Sequence, residues 1–301
     1  MEPFKVTILG CASAKPTPRH MPTSQIIDFR GNLFMIDCGE GTQIQIMKYG
    51  IKLSRLRRIF ISHLHGDHCF GLPGLLSTLS LMGLNGEITI HLPEEGMRVL
   101  KPLIDYSSHA QDITFAPYSY GNNIIYEDDT IAVNTMPLRH RLPCCGFVFR
   151  EKPKLPHINR AMTDFHGVPT CMFNRIKNGE DFVKPDGTVV PWQRLTTDAE
   201  PPRSYAFISD TLPLKAVASE VKGVDLLYHE ATFAESEAER AKQTCHTTAA
   251  QAANIAKSAD VGRLIIGHYS SRYDEELELL NEARAIFPNT DLTYEGMTFD
   301  V

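Results

Sequence analysis

Short runs of β-branched and aromatic residues recur through the first half of the chain and read as strands. Val6–Leu9, Gln25–Phe29 and Leu33–Ile36 are the first three, the last two joined across Arg30-Gly31-Asn32 as a hairpin. Arg58–Ser62, Ile88–Leu92, Ile113–Pro117, Ile131–Leu138 and Gly146–Arg150 continue the series. Helical periodicity interrupts it three times. Thr42 to Tyr49 reads as a helix opened by a capping box of Thr42 and Gln45, Pro73 suits the first turn of a helix reaching Met82, and Glu94 to Asp105 is a third. Beyond residue 203 strand and helix alternate: strands at Tyr205–Ser209, Val224–His229 and Arg263–Ile266, helices at Leu214–Val221, Thr248–Ser258 and Asp274–Phe287. Mixed strands followed by alternation predict an α/β fold of several layers. Between Glu151 and Pro202 the periodicity fails, while proline, glycine and charge accumulate. We read residues 1–301 as one domain with an excursion, partly a mobile arm, over about 151–202.

Composition narrows the class. A chain of 301 residues, 43% hydrophobic and 22% charged, suits an ordinary globular protein with a large core. The most apolar segment, Leu72 to Leu84, is too short and too broken to span a bilayer, and the N-terminus lacks a signal-peptide pattern. The expectation is a cytoplasmic protein with no membrane partner. Seven cysteines without a C-x-x-C spacing argue against a disulfide framework and against a structural zinc knuckle. A net charge of −6 speaks against a general nucleic-acid protein, although Lys48 to Arg58 carries five basic residues and no acid. Arg139 to Arg160 carries six against one Glu, so a polyanionic substrate stays compatible.

The chemistry concentrates in Ser62-His63-Leu64-His65-Gly66-Asp67-His68-Cys69. In an extended chain His63 and His65 point the same way, and Gly66 permits a turn that redirects Asp67 and His68. Imidazole and carboxylate donors suit Zn²⁺ and similar ions, and four of them aimed in two directions suggest two neighbouring metals. Later strands end on residues of the same type: His140, Asp210, the pair His229-Glu230, and His268. Ligand sites in α/β sheets gather at such carboxyl ends. His246 differs, because Thr248 and Gln251 behind it form a second capping box, setting it beside a helix N-terminus where phosphate is favoured. His20, His91, His109, His157, His166 and His229 are expected to be structural or surface residues.

These stretches resemble a known family. The H-x-H-x-D-H cluster and Phe34-Met35-Ile36-Asp37-Cys38-Gly39 are similar to signatures of the metallo-β-lactamase superfamily. More narrowly, Ser62 through Leu76, Gly39-Glu40-Gly41-Thr42-Gln43, Ser209-Asp210-Thr211, His229-Glu230-Ala231-Thr232-Phe233 and His246-Thr247-Thr248-Ala249 resemble the ribonuclease Z family of tRNA 3′-processing endonucleases. The resemblance implies a metallo-β-lactamase-like four-layer αβ/βα sandwich with a short protruding arm. It implies two Zn²⁺ per subunit, one on His63, His65 and His140, the other on Asp67, His68 and His268, with Asp210 bridging. It implies Asp67, His246 and Glu230 in catalysis, precursor tRNA as substrate, and a homodimer whose arm grips the tRNA of the partner subunit. The chain departs from the family pattern in lacking a Gly-Pro pair in the arm, where Lys152, Lys154, Arg160, Arg175 and Lys177 are candidate phosphate contacts. It departs again at His20, where asparagine is more usual. Two other classes compete: a small-molecule phosphodiesterase or other ester hydrolase on the same scaffold, and a non-catalytic RNA-binding protein with structural zinc.

Overall fold

In the computed structural model, which describes residues 2–83, 86–107 and 113–301, the strands assemble into two seven-stranded sheets. The first runs Thr298–Asp300, Phe4–Gly10, Ser24–Phe29, Asn32–Ile36, Leu56–Phe60, Ile88–Pro93, Ile113–Tyr118. The second runs Thr290–Leu292, Arg263–Gly267, Leu226–Glu230, Ser204–Ile208, Pro143–Glu151, Ile131–Arg139, Ile124–Glu127. The expected hairpin pairs Ile27 with Phe34 and Phe29 with Asn32. Arg30 and Gly31 at its tip both take positive φ, as a two-residue turn between twisted strands requires.

The sheets face each other across an aromatic layer. Phe60 lies 5.7 Å from Phe147 and 5.5 Å from Phe149, ring centre to ring centre, and Phe34 lies 6.5 Å from Phe149. Helices cover the outer faces. Leu72, Leu75, Leu76 and Leu79 recur at helical spacing and are buried with Leu100 and Ile104 against the first sheet. Helices Lys215–Glu220, Ala249–Ala259 and Leu277–Ile286 lie over the second. Four layers result, as the resemblance implied.

Local differences have identifiable causes. Thr42 does not cap its helix. The N-cap is Gly41 at φ 83°, and the Thr42 hydroxyl instead donates to Gly39 O at 2.7 Å. The capping box at Thr248 and Gln251 is present. Strands Ile124–Glu127, Thr290–Leu292 and Thr298–Asp300 went unread because three or four residues at a sheet margin carry too little pattern. Helix Ala238–Thr244 went unread because only Ala241 on it is buried.

The chain divides into two compact units, one of them Glu127–Ala132 with Arg150–Pro202. That smaller unit is more organised than its sequence suggests. Val168, Ile176, Phe182, Val190 and Leu195 form a core of their own with Trp192 packed on it, beneath short paired strands and a helix capped by Asn159. Its apolar residues lie at irregular intervals, so neither strand nor helix period reveals them. Four of its cations stand in ion pairs: Lys152 with Glu127 at 2.8 Å, Lys154 with Glu151 at 3.5 Å, Arg160 with Asp164, and Arg175 with Glu180. The pairs of Arg160 and Arg175 are exposed on both sides, and exposed pairs of this kind are weak.

Two loops that frame the site are pinned within the larger unit. Gly71 N–H donates to Cys38 O at 2.8 Å, and a Cβ at Gly71 would lie 2.0 Å from Gly39 O, so only glycine lets these segments touch. The loop after the first strand is held by buried His20, which meets Glu295 at 3.0 Å and Glu276 at 3.3 Å, with Arg19 also on Glu276. Burial alone would depress His20, but the hydrogen bonds it donates to Glu276 and Glu295 hold it up at about 9. A raised folded-state value stabilises the fold below the ordinary value near 6.5 and loses that contribution as pH climbs through about 9. The stability advantage of the wild type over His20→Gln in urea unfolding is therefore expected to be largest near about pH 6 and to close by about pH 10. A gap that stays constant with pH would contradict this assignment.

Candidate metal centre

The ends of strands from both sheets deliver the sequence-identified residues to one place. Strand Leu56–Phe60 leads into His63 and His65, and the single turn Gly66–Cys69 then redirects Asp67 and His68. His140 follows Ile131–Arg139, Asp210 lies just beyond Ser204–Ile208, and His268 follows Arg263–Gly267 at φ 62°. Asp210 sits between two groups. Its Oδ2 faces His63 Nε2 at 3.8 Å and His140 Nε2 at 3.6 Å, while His65 Nδ1 is 3.0 Å from His63 Nε2 and 3.2 Å from His140 Nε2. Its Oδ1 faces His68 Nε2 at 3.4 Å and His268 Nε2 at 3.1 Å, each of which lies 3.6 Å from Asp67 Oδ2. Donors about 2.0–2.1 Å from a tetrahedral ion stand roughly 3.3 Å apart. Both groups match that spacing, and such clusters can hold divalent metal.

Proton accounting makes the fit sharper. His68 Nδ1 is 2.6 Å from Asp37 Oδ2, and His140 Nδ1 is 2.9 Å from Cys245 O. A carboxylate and a carbonyl only accept, so each Nδ1 carries the proton and each Nε2 is left with a lone pair. His63 Nδ1 meets Ser62 Oγ at 3.1 Å, and Ser62 Oγ already donates to Asp37 at 2.8 Å. His268 Nδ1 meets Thr232 Oγ1 at 3.0 Å, and Thr232 Oγ1 already donates to Glu230 at 2.7 Å. Four imidazoles thus aim lone pairs inward, and the buried Nε2 atoms of His68 and His268 have no hydrogen-bond partner. Buried nitrogens without a partner cost free energy unless something electropositive meets them.

The electrostatics agree. Burial pushes His63 well below its ordinary value, which keeps the ring neutral, as a metal ligand would have to be. Burial works against a charged His68 as well, but Asp210, Asp67 and Asp37 hold it well up. The surroundings therefore draw in positive charge. Against the cost of burial, His268 and His68 hold Asp210 well below the carboxylate range, and His68 and His268 do the same for Asp67.

His246 and Glu230 stand beside this cluster. Glu230 Oε1 accepts from His246 Nδ1 and from the N–H groups of Thr211 and Thr247, each at 3.0 Å, and its Oε2 accepts from Thr232 N–H at 3.1 Å. Burial alone would lower His246, but Glu230 holds it up at about 9. His246 lines a cleft of about 760 Å³ with His65, Asp67, His140 and Asp210. His229 points the other way along the same strand, its Nδ1 donating to Glu230 O at 2.7 Å. A third cluster, Cys11, His20 and Glu295, is donor-rich too, but its atoms are satisfied by one another, by Glu276 and by Met21 N–H. His91 stacks on Phe60 at 4.7 Å, and burial lowers it to about 4, so it is structural as expected. His109 lies outside the described residues.

Comparison with known proteins places this arrangement. A protein named Ribonuclease Z from Bacteroides fragilis is 53% identical over 300 residues, covering 99% of each chain. The chain belongs to the ribonuclease Z family. A second Ribonuclease Z, from Bacteroides thetaiotaomicron, is 52% identical and covers 100% of this chain and 96% of its own. Among solved structures, human tRNase Z, short form, superposes with a TM-score of 0.70 at 24% identity over 98% of both chains. The metallo-β-lactamase fold protein YhfI from Bacillus subtilis gives 0.72 at 16% identity over 100% of both chains. The family model described as Anti-Pycsar protein Apyc1 matches residues 4–104.

The residues behind the donors carry weaker signals in the sequence. Asp37 had a signal, since it too follows a strand end, and its φ of 54° turns it under His68. Ser62 and Thr232 lie in the family-like stretches but show nothing of this role there, and the Cys245 carbonyl has no signal at all. Thr232→Val is expected to weaken binding of one of two ions about 10- to 100-fold when the metal-free protein is titrated with zinc, with Thr232→Ser close to wild type. Equal affinities in all three proteins would remove the hydroxyl from this role.

Proposed function

We propose that this chain is a two-zinc endoribonuclease that removes 3′ trailers from precursor tRNA, leaving a tRNA 3′-hydroxyl and a 5′-phosphorylated trailer. His63, His65 and His140 would hold one ion, Asp67, His68 and His268 the other, and Asp210 would bridge. The ions would supply Lewis acidity toward the scissile phosphate and lower the pKa of water to about 7. The chain supplies the proton transfers. Asp67, anchored through Oδ2 by Ala14 N–H at 2.7 Å, takes the proton of the attacking water. The bond from phosphorus to the tRNA 3′-oxygen breaks as His246 donates its proton to that oxygen. Glu230 keeps His246 charged and its ring fixed.

The observation that carries the reading is His246, held protonated by Glu230 in the cleft that the candidate ligands line. The rim supports a polyanion. Lys15, Arg141, Arg240 and Arg272 line the cleft, and among the described residues no ion pair engages the first three. Local charge of this sign steers RNA despite a net charge of −6. Cytoplasmic location suits this substrate, and no helix among the described residues is long and apolar enough to cross a membrane. We propose a homodimer as well, because Ile44, Met47, Leu81 and Met82 on two adjoining helices are exposed.

Cleavage of a 3′-extended precursor tRNA and of a chromogenic phosphodiester separates the endonuclease from a small-ester hydrolase. Turnover of the small ester alone would defeat the tRNA assignment. His246→Ala is expected to lower kcat on precursor tRNA about 10²- to 10⁴-fold with metal content retained. Chelation should abolish cleavage and zinc should restore it.

A further inference from the structure

Phe70 is an anomaly at the cleft. Its side chain is 65% exposed on a wall shared with His65, Asp67 and His246, whereas Phe233, which also lines the cleft, is buried. The ring is nevertheless seated against the main chain. A Cβ at Gly66 would lie 2.5 Å from Phe70 Cε2 and 2.6 Å from Cδ2, so the ring rests on the bare Gly66 backbone. Phe70 N–H also donates to Gly66 O at 2.9 Å, closing the turn that carries Asp67 and His68. The chain therefore holds a flat apolar surface in water, beside the turn that carries two candidate ligands, at a cleft rimmed by cations.

We propose that Phe70 is a stacking platform for one of the two bases flanking the scissile phosphate. This rests on the endonuclease reading and gives it a specificity element. An aromatic face binds any unpaired base, so it suits a trailer junction whose sequence varies, while the rim cations take the phosphates. Gly66 acts as the seat of the ring, in addition to giving the turn its freedom.

The test uses the metal-loaded full chain, precursor tRNA with an abasic residue at either flank of the cut, and a chromogenic phosphodiester. Wild-type cleavage of intact precursor tRNA comes first. Its failure would sink the endonuclease reading before any variant is made. Given cleavage, Phe70→Ala is expected to lose about 5- to 150-fold more kcat/KM on precursor tRNA than on the small diester, and Phe70→Trp to recover most of it. At one flank the abasic residue should cost the wild type a similar factor and cost Phe70→Ala almost nothing further. Equal losses on both substrates, full activity in Phe70→Leu, or additive effects of the abasic residue and the variant would each overturn the proposal. So would a change of oligomeric state in Phe70→Ala, which would make the ring a subunit contact.

Discussion

The constraint on which the centre depends is the direction of four imidazole protons. Each Nδ1–H of His63, His68, His140 and His268 points at an atom able only to accept, or at a hydroxyl whose single proton is already committed to a carboxylate. In the neutral rings the remaining nitrogens offer lone pairs, and they converge on the two oxygens of Asp210. Side chains alone leave this arrangement unfavourable, because buried lone pairs repel one another and have no donor. A bound cation would resolve it, and without one a proton on His68 goes part of the way, since Asp210, Asp67 and Asp37 favour its charged form.

Two buried carboxylates lie behind this constraint. Asp37 serves His68 directly and His63 through Ser62, while Glu230 serves His246 directly and His268 through Thr232. Each carboxylate therefore sets two histidines, one by contact and one through a hydroxyl. Asp37 comes from the first sheet and Glu230 from the second. The aromatic layer of Phe34, Phe60, Phe147 and Phe149 holds the two sheets face to face. Packing far from the chemistry therefore governs which nitrogen of each ring carries a proton. The same carboxylates concentrate negative charge beneath the cluster, which matches a task of binding cations and then phosphate.

Much of the site was legible in the chain because its chemistry is local. His63, His65, Asp67 and His68 declare themselves by spacing, and His140, Asp210 and His268 by standing at strand ends. The glycine-rich segment after His68 and the stretches around Glu230 and His246 narrowed the family. The relays at Ser62 and Thr232 were hidden, because one serine or threonine has many uses and its partner is chosen by folding. The small unit after residue 150 reads from the sequence only as an excursion, partly a mobile arm, because its buried residues keep no period. Its basic residues were legible as charges, but their pairing with Glu127, Glu151, Asp164 and Glu180 was not.

Sequence alone determined which residue types could bind metal, the order of strands and helices in the two halves, and the absence of a cysteine framework. These follow from side-chain chemistry and from periods of two and of 3.6 residues, which any segment carries by itself. Only the tertiary structure decided that Asp210 lies between two groups of donors, that His246 is held charged by Glu230, and that Phe70 stands open to water while Phe233 does not. Distances between segments a hundred or more residues apart arise from how two sheets pack. No local stretch of chain contains that information.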